Sequence, residues 1–347
     1  MILKLKYILK AAFLSQLLFS CTERSLEPRP EPEPVPIRLF TGIRTRATVD
    51  VFGDTPVCVA YGVRTGQYDG SWDGIATDNE IRLMPERYYP SDGSALYLRG
   101  YYPPAPLTAD GRLTYRLTGE EDLMLTGEQN GSLSAPFGES DSQSLLYRHL
   151  LTQLIFTLTV EAEDTGALRV RSLHLNGLTD EVTLSLAEES LLPGERTVSV
   201  PVYEAGEEAE GLPFDGNKLT LPGYVLVQPS ATLTIDLVLS VDDDRTHDRE
   251  YRALPVRFEG GEGEGGTAYT VRVELPDPVI PDPVEIVAVA TVGRWQEGDS
   301  GSGELVDNRS AETEQYTYLL TIKLLENNEN ETKCGGYGPF AGKLLKQ

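Results

Sequence analysis

The sequence predicts an all-β protein built from two tandem sandwiches. Its apolar residues fall in short alternating runs, as strands with one buried face require. There are 33 Gly and 23 Pro among 347 residues, and they punctuate those runs as turns. The strand-like runs recur regularly, with acidic or Gly-rich loops between them, which is the pattern of β-sandwiches. A chain of this length holds two such domains.

Residues 1–20 read as a secretory signal. Lys4, Lys6 and Lys10 precede an apolar stretch from Ala11 to Phe19 that is too short to span a membrane comfortably. The run Leu18-Phe19-Ser20-Cys21 has the layout of a lipoprotein signal, with a small residue before the cut and Cys21 as the lipid acceptor. A lipid there holds a protein on a membrane surface without a spanning helix. Residues 21–36 alternate Pro with charge. Pro fixes φ and lacks a backbone donor, so this tether is extended and stiff.

Residues 37–165 are expected to form the first sandwich. Ile37 to Ile43 is a short apolar strand followed by the basic pair Arg44 and Arg46, and the segment reads as one that can be cut away from the body it completes. Then come Ala47–Phe52, Pro56–Val63, the aromatic runs around Tyr88-Tyr89-Pro90 and Tyr101-Tyr102-Pro103, and Leu113–Leu117. Leu150–Leu154 fits a bend or one helical turn. Leu154–Val160 is the clearest strand in the chain. Glu161 to Gly166 is polar and marks the domain boundary.

The second sandwich is expected over 166–303. Its strands are Leu168–Leu175, Val182–Leu186, Thr197–Val200, Lys218–Leu221, Thr232–Leu239, Tyr269–Leu275 and Val284–Trp295. The tail 304–347 holds one further alternation, Tyr316–Leu324.

The formal net charge of −24 argues against a nucleic-acid partner, which needs a basic surface to meet phosphates. With Cys21 lipidated, Cys58 and Cys334 are the one pair left for a disulfide. Cys58 lies in an alternating apolar run and is expected to be a buried free thiol.

Several stretches together resemble the fimbrillin family of Bacteroidales-type pili. They are the lipoprotein signal, the early strand ending Thr45-Arg46-Ala47, the two Tyr-Tyr-Pro runs, and Arg148–Phe156. Leu221-Pro222-Gly223-Tyr224 and the late Trp295 before a Gly/Ser stretch belong with them. The resemblance covers about residues 1–303. It implies transthyretin-like sandwiches, export as an outer-membrane lipoprotein, and a surface-exposed place in a fimbrium. It also implies an Arg-specific protease that cuts after the first strand. By position that cut falls at Arg46–Ala47, with Arg44–Thr45 as the nearby alternative. The partners implied are other fimbrial subunits, the protease, and outer-membrane lipid through Cys21.

Removing a strand leaves an apolar groove and unpaired backbone groups, which a strand from another subunit fills by β-augmentation. Two donor segments are open in the sequence. One carries Val284, Ile286, Ala288, Ala290 and Val292 on one face. The other carries Tyr316, Tyr318, Leu320, Ile322 and Leu324.

No enzyme and no cofactor is expected. Gly298-Asp299-Ser300-Gly301 resembles the nucleophile region of trypsin-like proteases. None of His149, His174 and His247 lies in that family's histidine motif, so a Gly/Ser linker is the reading. Asp242-Asp243-Asp244 with Asp248 lacks the spacing of a calcium loop and fits an acidic turn. His149, set among apolar residues, reads as a packed or strand-edge histidine. A second functional reading is a surface lipoprotein that never polymerises and binds glycans or host ligands through exposed aromatics such as Trp72 or the Tyr pairs.

Overall fold

The computed structural model describes residues 33–44, 49–50, 52–161, 165–206, 209–242, 247–276 and 286–296. The signal, most of the tether, Cys21, the pair Arg46–Ala47 and the tail lie outside them. The regular structure of the described residues is β, with no α-helix among them.

The first ten strands are β1 (Leu39–Arg44), β2 (Val49–Asp50), β3 (Phe52–Gly62), β4 (Gly70–Asp78) and β5 (Glu80–Met84). They continue with β6 (Leu96–Tyr102), β7 (Arg112–Arg116), β8 (Met124–Thr126), β9 (Gln129–Gly131) and β10 (Leu145–His149). The next six are β11 (Thr152–Val160), β12 (Arg169–Thr179), β13 (Glu181–Ser185), β14 (Ser190–Pro193), β15 (Thr197–Glu204) and β16 (Leu212–Pro213). The last are β17 (Lys218–Thr220), β18 (Val225–Val227), β19 (Thr234–Ser240), β20 (Arg249–Phe258), β21 (Ala268–Leu275) and β22 (Ala288–Val292).

Three sheets result. The first runs β10-β8-β6-β3-β4-β5-β1-β2, with β9 on β6, and a further β1–β10 pairing closes seven of these strands into a ring. The second runs β15-β12-β19-β20-β22-β21-β11-β17, with β16 on β12 and β18 on β11. The third is small, β14-β13-β7, and ties the two bodies together because β7 comes from the first part of the chain and β13–β14 from the second.

The change of sheet falls between His149 and Thr152. β11 therefore pairs with the later strands, parallel to β21 from Gln153 to Val160, although it precedes the acidic stretch Glu161–Gly166. Its burial explains why it reads so clearly: eight of its nine residues are buried, as in a strand covered on both faces. Residues 150 and 151 form the expected bend rather than a helical turn.

Two apolar clusters hold the molecule. One lies inside the ring and includes Leu39, Val59, Ile81, Leu98, Leu145 and Tyr147. The other fills the second body and continues into the first through Tyr101, Leu113, Tyr115 and Leu123. The bodies thus share one core at their junction.

β4 is a strand the sequence hides. It reads Gly-Ser-Trp-Asp-Gly-Ile-Ala-Thr-Asp, which looks like a turn region. Gly74 is required there by a close approach: a Cβ at that position would stand 2.8 Å from Ile81 Cγ2 on β5.

Candidate functional site

β1 and the residues just before it occupy a slot in the first sheet. Ile37, Leu39, Thr41 and Ile43 are all buried, while Arg38 and Arg44 are exposed and Phe40 is half-buried. This is the period-2 alternation of a strand with one face in the core. On one side the segment runs antiparallel to β5, with Leu39 opposite Ile81. On the other it runs parallel to β10, with Thr41, Gly42 and Ile43 opposite Leu145, Leu146 and Tyr147.

Backbone bonds extend the clasp. The Ile37 N–H donates to the Arg87 carbonyl at 2.8 Å, the Thr41 N–H to Asn79 at 2.8 Å, and the Tyr89 N–H to Val35 at 3.0 Å. The segment from Val35 to Arg44 is therefore bound on both flanks. Burying its three aliphatic side chains stabilises the chain by roughly 1.5–3 kcal/mol each before entropy is counted.

Thr41 differs from its neighbours. Its buried hydroxyl donates to the Leu145 carbonyl at 2.8 Å. Gly42, on the other face of the strand, is buried too. At these two residues β1 is enclosed on both sides. Arg44 then meets Asp141 at 2.6 Å, with both side chains more than half exposed. Such a pair contributes little. β1 turns back to pair with β2, Arg44 lying opposite Val49. Residues 45–48, with Arg46 and Ala47, make that connection and lie outside the described residues.

The first of the two candidate donor segments is described from Ile286 onward, Val284 lying outside the described residues. Ile286, Ala288 and Ala290 are buried, and Val292 is exposed. β22 is an inner strand of the second sheet, antiparallel to β21 and parallel to β20. Beyond it the chain is held at the junction. Gln153, fully buried, donates its amide N–H to the Gln296 carbonyl at 2.6 Å and accepts from the Gln296 N–H at 2.7 Å. Trp295 stacks on His149 with ring centroids 4.0 Å apart. His149 is buried at the end of β10, and its Nδ1 lies 2.8 Å from Asp122 Oδ2. The second donor segment, Tyr316–Leu324, falls in the tail outside the described residues.

The junction also carries a charge cluster that no sequence spacing signals. Arg99 on β6 is 5% exposed. It donates to the Leu186 carbonyl at 2.5 Å and to Glu189 Oε1 at 2.7 Å. Arg148 on β10 reaches Glu189 Oε2 at 2.8 Å. Glu189 ends the β13–β14 turn with φ 53, a backbone a non-glycine residue adopts only where its surroundings hold it. Burial raises its carboxyl pKa, and the bonds from Arg148 and Arg99 more than offset that, leaving it below the usual range. Glu128 follows the same pattern. Burial pushes it up, while donors on Thr65, Gly66 and Tyr68, helped by Arg99, bring it below its ordinary value.

The aromatic surface needed for a glycan platform on Trp72 is not there. Trp72 is 8% exposed, stacked on Tyr61 at 4.4 Å with Arg87 over its ring. Of the Tyr pairs, Tyr88 is exposed, Tyr102 is half-buried, and Tyr89 and Tyr101 are buried. Sequence reasoning missed this because β4 was not recognised as a strand with an inward Trp. Cys58 is a buried free thiol on β3, 3.6 Å from an Asp73 oxygen, and burial raises its pKa. Cys334 lies outside the described residues, as do Asp243, Asp244 and Gly298–Gly301. Asp242 meets His247 at 2.8 Å. Among the described residues no cluster of His, Cys, Asp or Glu could hold a metal ion.

Comparisons with known proteins complete the description. The profile of a family described as fimbrillin-like matches residues 44–295. That match starts at the last residue of β1 and ends on Trp295. No curated protein matches the sequence. Among solved structures, a candidate cell adhesion protein from Bacteroides uniformis is similar at 13% identity, with a TM-score of 0.51, over 75% of this chain and 99% of its own. Another from Bacteroides ovatus is 12% identical, with a TM-score of 0.47, over 77% of this chain and 99% of its own. A tip fimbrial protein from Porphyromonas gingivalis is 9% identical, with a TM-score of 0.41, over 75% of this chain and all of its own, 100%. The first of these shares the fold.

Proposed function

The chain belongs to the fimbrillin-like family, and on that footing we propose that it is a fimbrial subunit with an adhesive role, assembled by strand exchange. It is exported as an outer-membrane lipoprotein on Cys21. An Arg-specific protease cuts after Arg46, and the released segment carries β1 away. The observation that supports this most is the seat of β1, its inward face buried and its backbone paired with β5 and then β10, with four residues between it and β2. Loss of that segment removes Ile37, Leu39 and Ile43 from the core and frees the partners at Asn79, Arg87 and Tyr89. The vacated slot has the backbone pattern that β-augmentation needs.

The tail supplies the strand given to a neighbour. β22 already has its apolar face in its own sandwich. Drawing it out would open the second core, whereas Tyr316–Leu324 offers an alternating apolar sequence outside the described residues.

The test is treatment of the purified lipid-free precursor with an Arg-specific protease. The expected product begins at Ala47 by mass spectrometry, has lost the segment that carries β1, and takes up an added peptide of residues 35–44. A chain cut at Ala47 that keeps β1 bound and takes up no added strand contradicts the reading.

A further inference from the structure

Resting on that strand-exchange reading, we infer that the slot left by β1 takes a strand from a different subunit, not from a second copy of this chain. The side chains β1 places in the slot define its chemistry. In chain order they are an aliphatic at 37, an aliphatic at 39, a small hydroxyl at 41, a glycine at 42 and an aliphatic at 43. The third position is polar and confined. Thr41 is 5% exposed and its hydroxyl serves the Leu145 carbonyl. Its neighbour Gly42 is buried on the opposite face, so two consecutive residues must be small. A larger apolar group at 41 overfills the site and removes that bond.

Residues 297–347 do not meet that rule. Among them, in the direction β1 runs, no pair of small residues has an aliphatic directly after it and aliphatics two and four places before its first member. When Tyr318, Leu320 and Leu324 are set in the positions of Ile37, Leu39 and Ile43, Ile322 falls where Thr41 sits and Lys323 where Gly42 sits. A lysine in an enclosed position must be desolvated. The one run that carries the small pair, Ala290-Thr291 between Ile286 and Val292, lies at β22 in its own core. The partner is therefore a strand of the form aliphatic-x-aliphatic-x-Ser/Thr-small-aliphatic from another protein. Assembly with copies of itself alone is selected against by fit.

The test uses the full chain after Arg-specific cleavage and three labelled peptides. They are residues 35–44, residues 314–326, and the 314–326 peptide carrying Ile322→Thr and Lys323→Gly. Binding is read by fluorescence anisotropy. The 35–44 peptide is expected to bind, and the native tail peptide to bind about tenfold or more weakly. The double substitution is expected to recover most of the difference. A native tail peptide that binds as tightly as 35–44 overturns the inference and leaves strand exchange standing. Failure of the 35–44 peptide itself to bind sinks the strand-exchange reading, and this inference with it.

Discussion

Gln153 and Gln296 face each other as two strands do, the side-chain amide of one pairing with both backbone groups of the other at 2.6 and 2.7 Å. A buried amide that replaces a backbone ladder holds the chain at one point after β22 ends. It sets where the tail leaves the body, beside the end of β10.

Gln153→Ala removes that hold. The Gln296 groups lose their partners, and stability falls by about 1–3 kcal/mol. Amides of Val289 to Gln296 exchange faster in hydrogen-exchange mass spectrometry, while those of β11 keep their protection. Faster exchange across the whole second sheet is the result that contradicts a local anchor.

Leu39→Ala in the uncut chain leaves a cavity in the ring. The expected loss is about 2–4 kcal/mol, read from urea denaturation. The adjacent Arg38→Ala changes an exposed residue and stays within about 0.5 kcal/mol. Equal effects from the two would mean that β1 is not packed in solution.

Arg46→Gln is expected to leave the precursor uncut at Ala47. Arg44 remains as a second site, so the pair Arg44→Gln and Arg46→Gln is needed for a full block. Arg44 contributes only an exposed ion pair, and the double variant keeps wild-type stability. Mass spectrometry after protease treatment should show an intact N-terminal segment for the double variant and its loss for the parent.

Glu189→Ala leaves the buried Arg99 with the Leu186 carbonyl as its remaining hydrogen-bond acceptor and releases Arg148. The loss is about 1–3 kcal/mol by denaturation. It should appear first as faster exchange in the β13–β14 hairpin, which this carboxylate pins to the first body.

The carboxyls of Glu128 and Glu189 are both held below their ordinary value. The unfolded chain therefore takes up protons at a higher pH than the folded one. Their contribution is complete above the unfolded value of about 4.3 and is lost as pH falls through the lower folded values. The urea midpoint should drop on acidification below about pH 4.5, and Glu128→Gln should flatten that slope.

Much of the architecture was legible from alternation alone. β12, β13, β19 and β21 announce themselves because their inward residues are mostly aliphatic and their outward ones are mostly not, and β11 because it is apolar along most of its length. The alternation of Ile37, Leu39 and Ile43 gave β1 in the same way. β4 and β5 were not legible. Gly74 sits where a side chain would strike Ile81, and Asp73 and Asp78 give the run the look of a turn. The junction sheet β14-β13-β7 was invisible for a different reason. Its register, Leu113 opposite Leu184, joins residues 71 positions apart, and no local pattern encodes a pairing at that range. The hold on Gln296 had no signal either, since one glutamine in an apolar run looks like an accident until its partner is seen.

The ring of the first sheet is sealed by the strand that leads the chain into it. A sealed rim offers no row of bare amides on which fibres could nucleate too early. Peptide hydrolysis in water runs one way, so in the strand-exchange proposal opening the rim by excision would give fibre growth a direction in time. On that proposal the supply of polymerisable protein would be metered by a catalyst outside the molecule, whatever the concentration of the precursor.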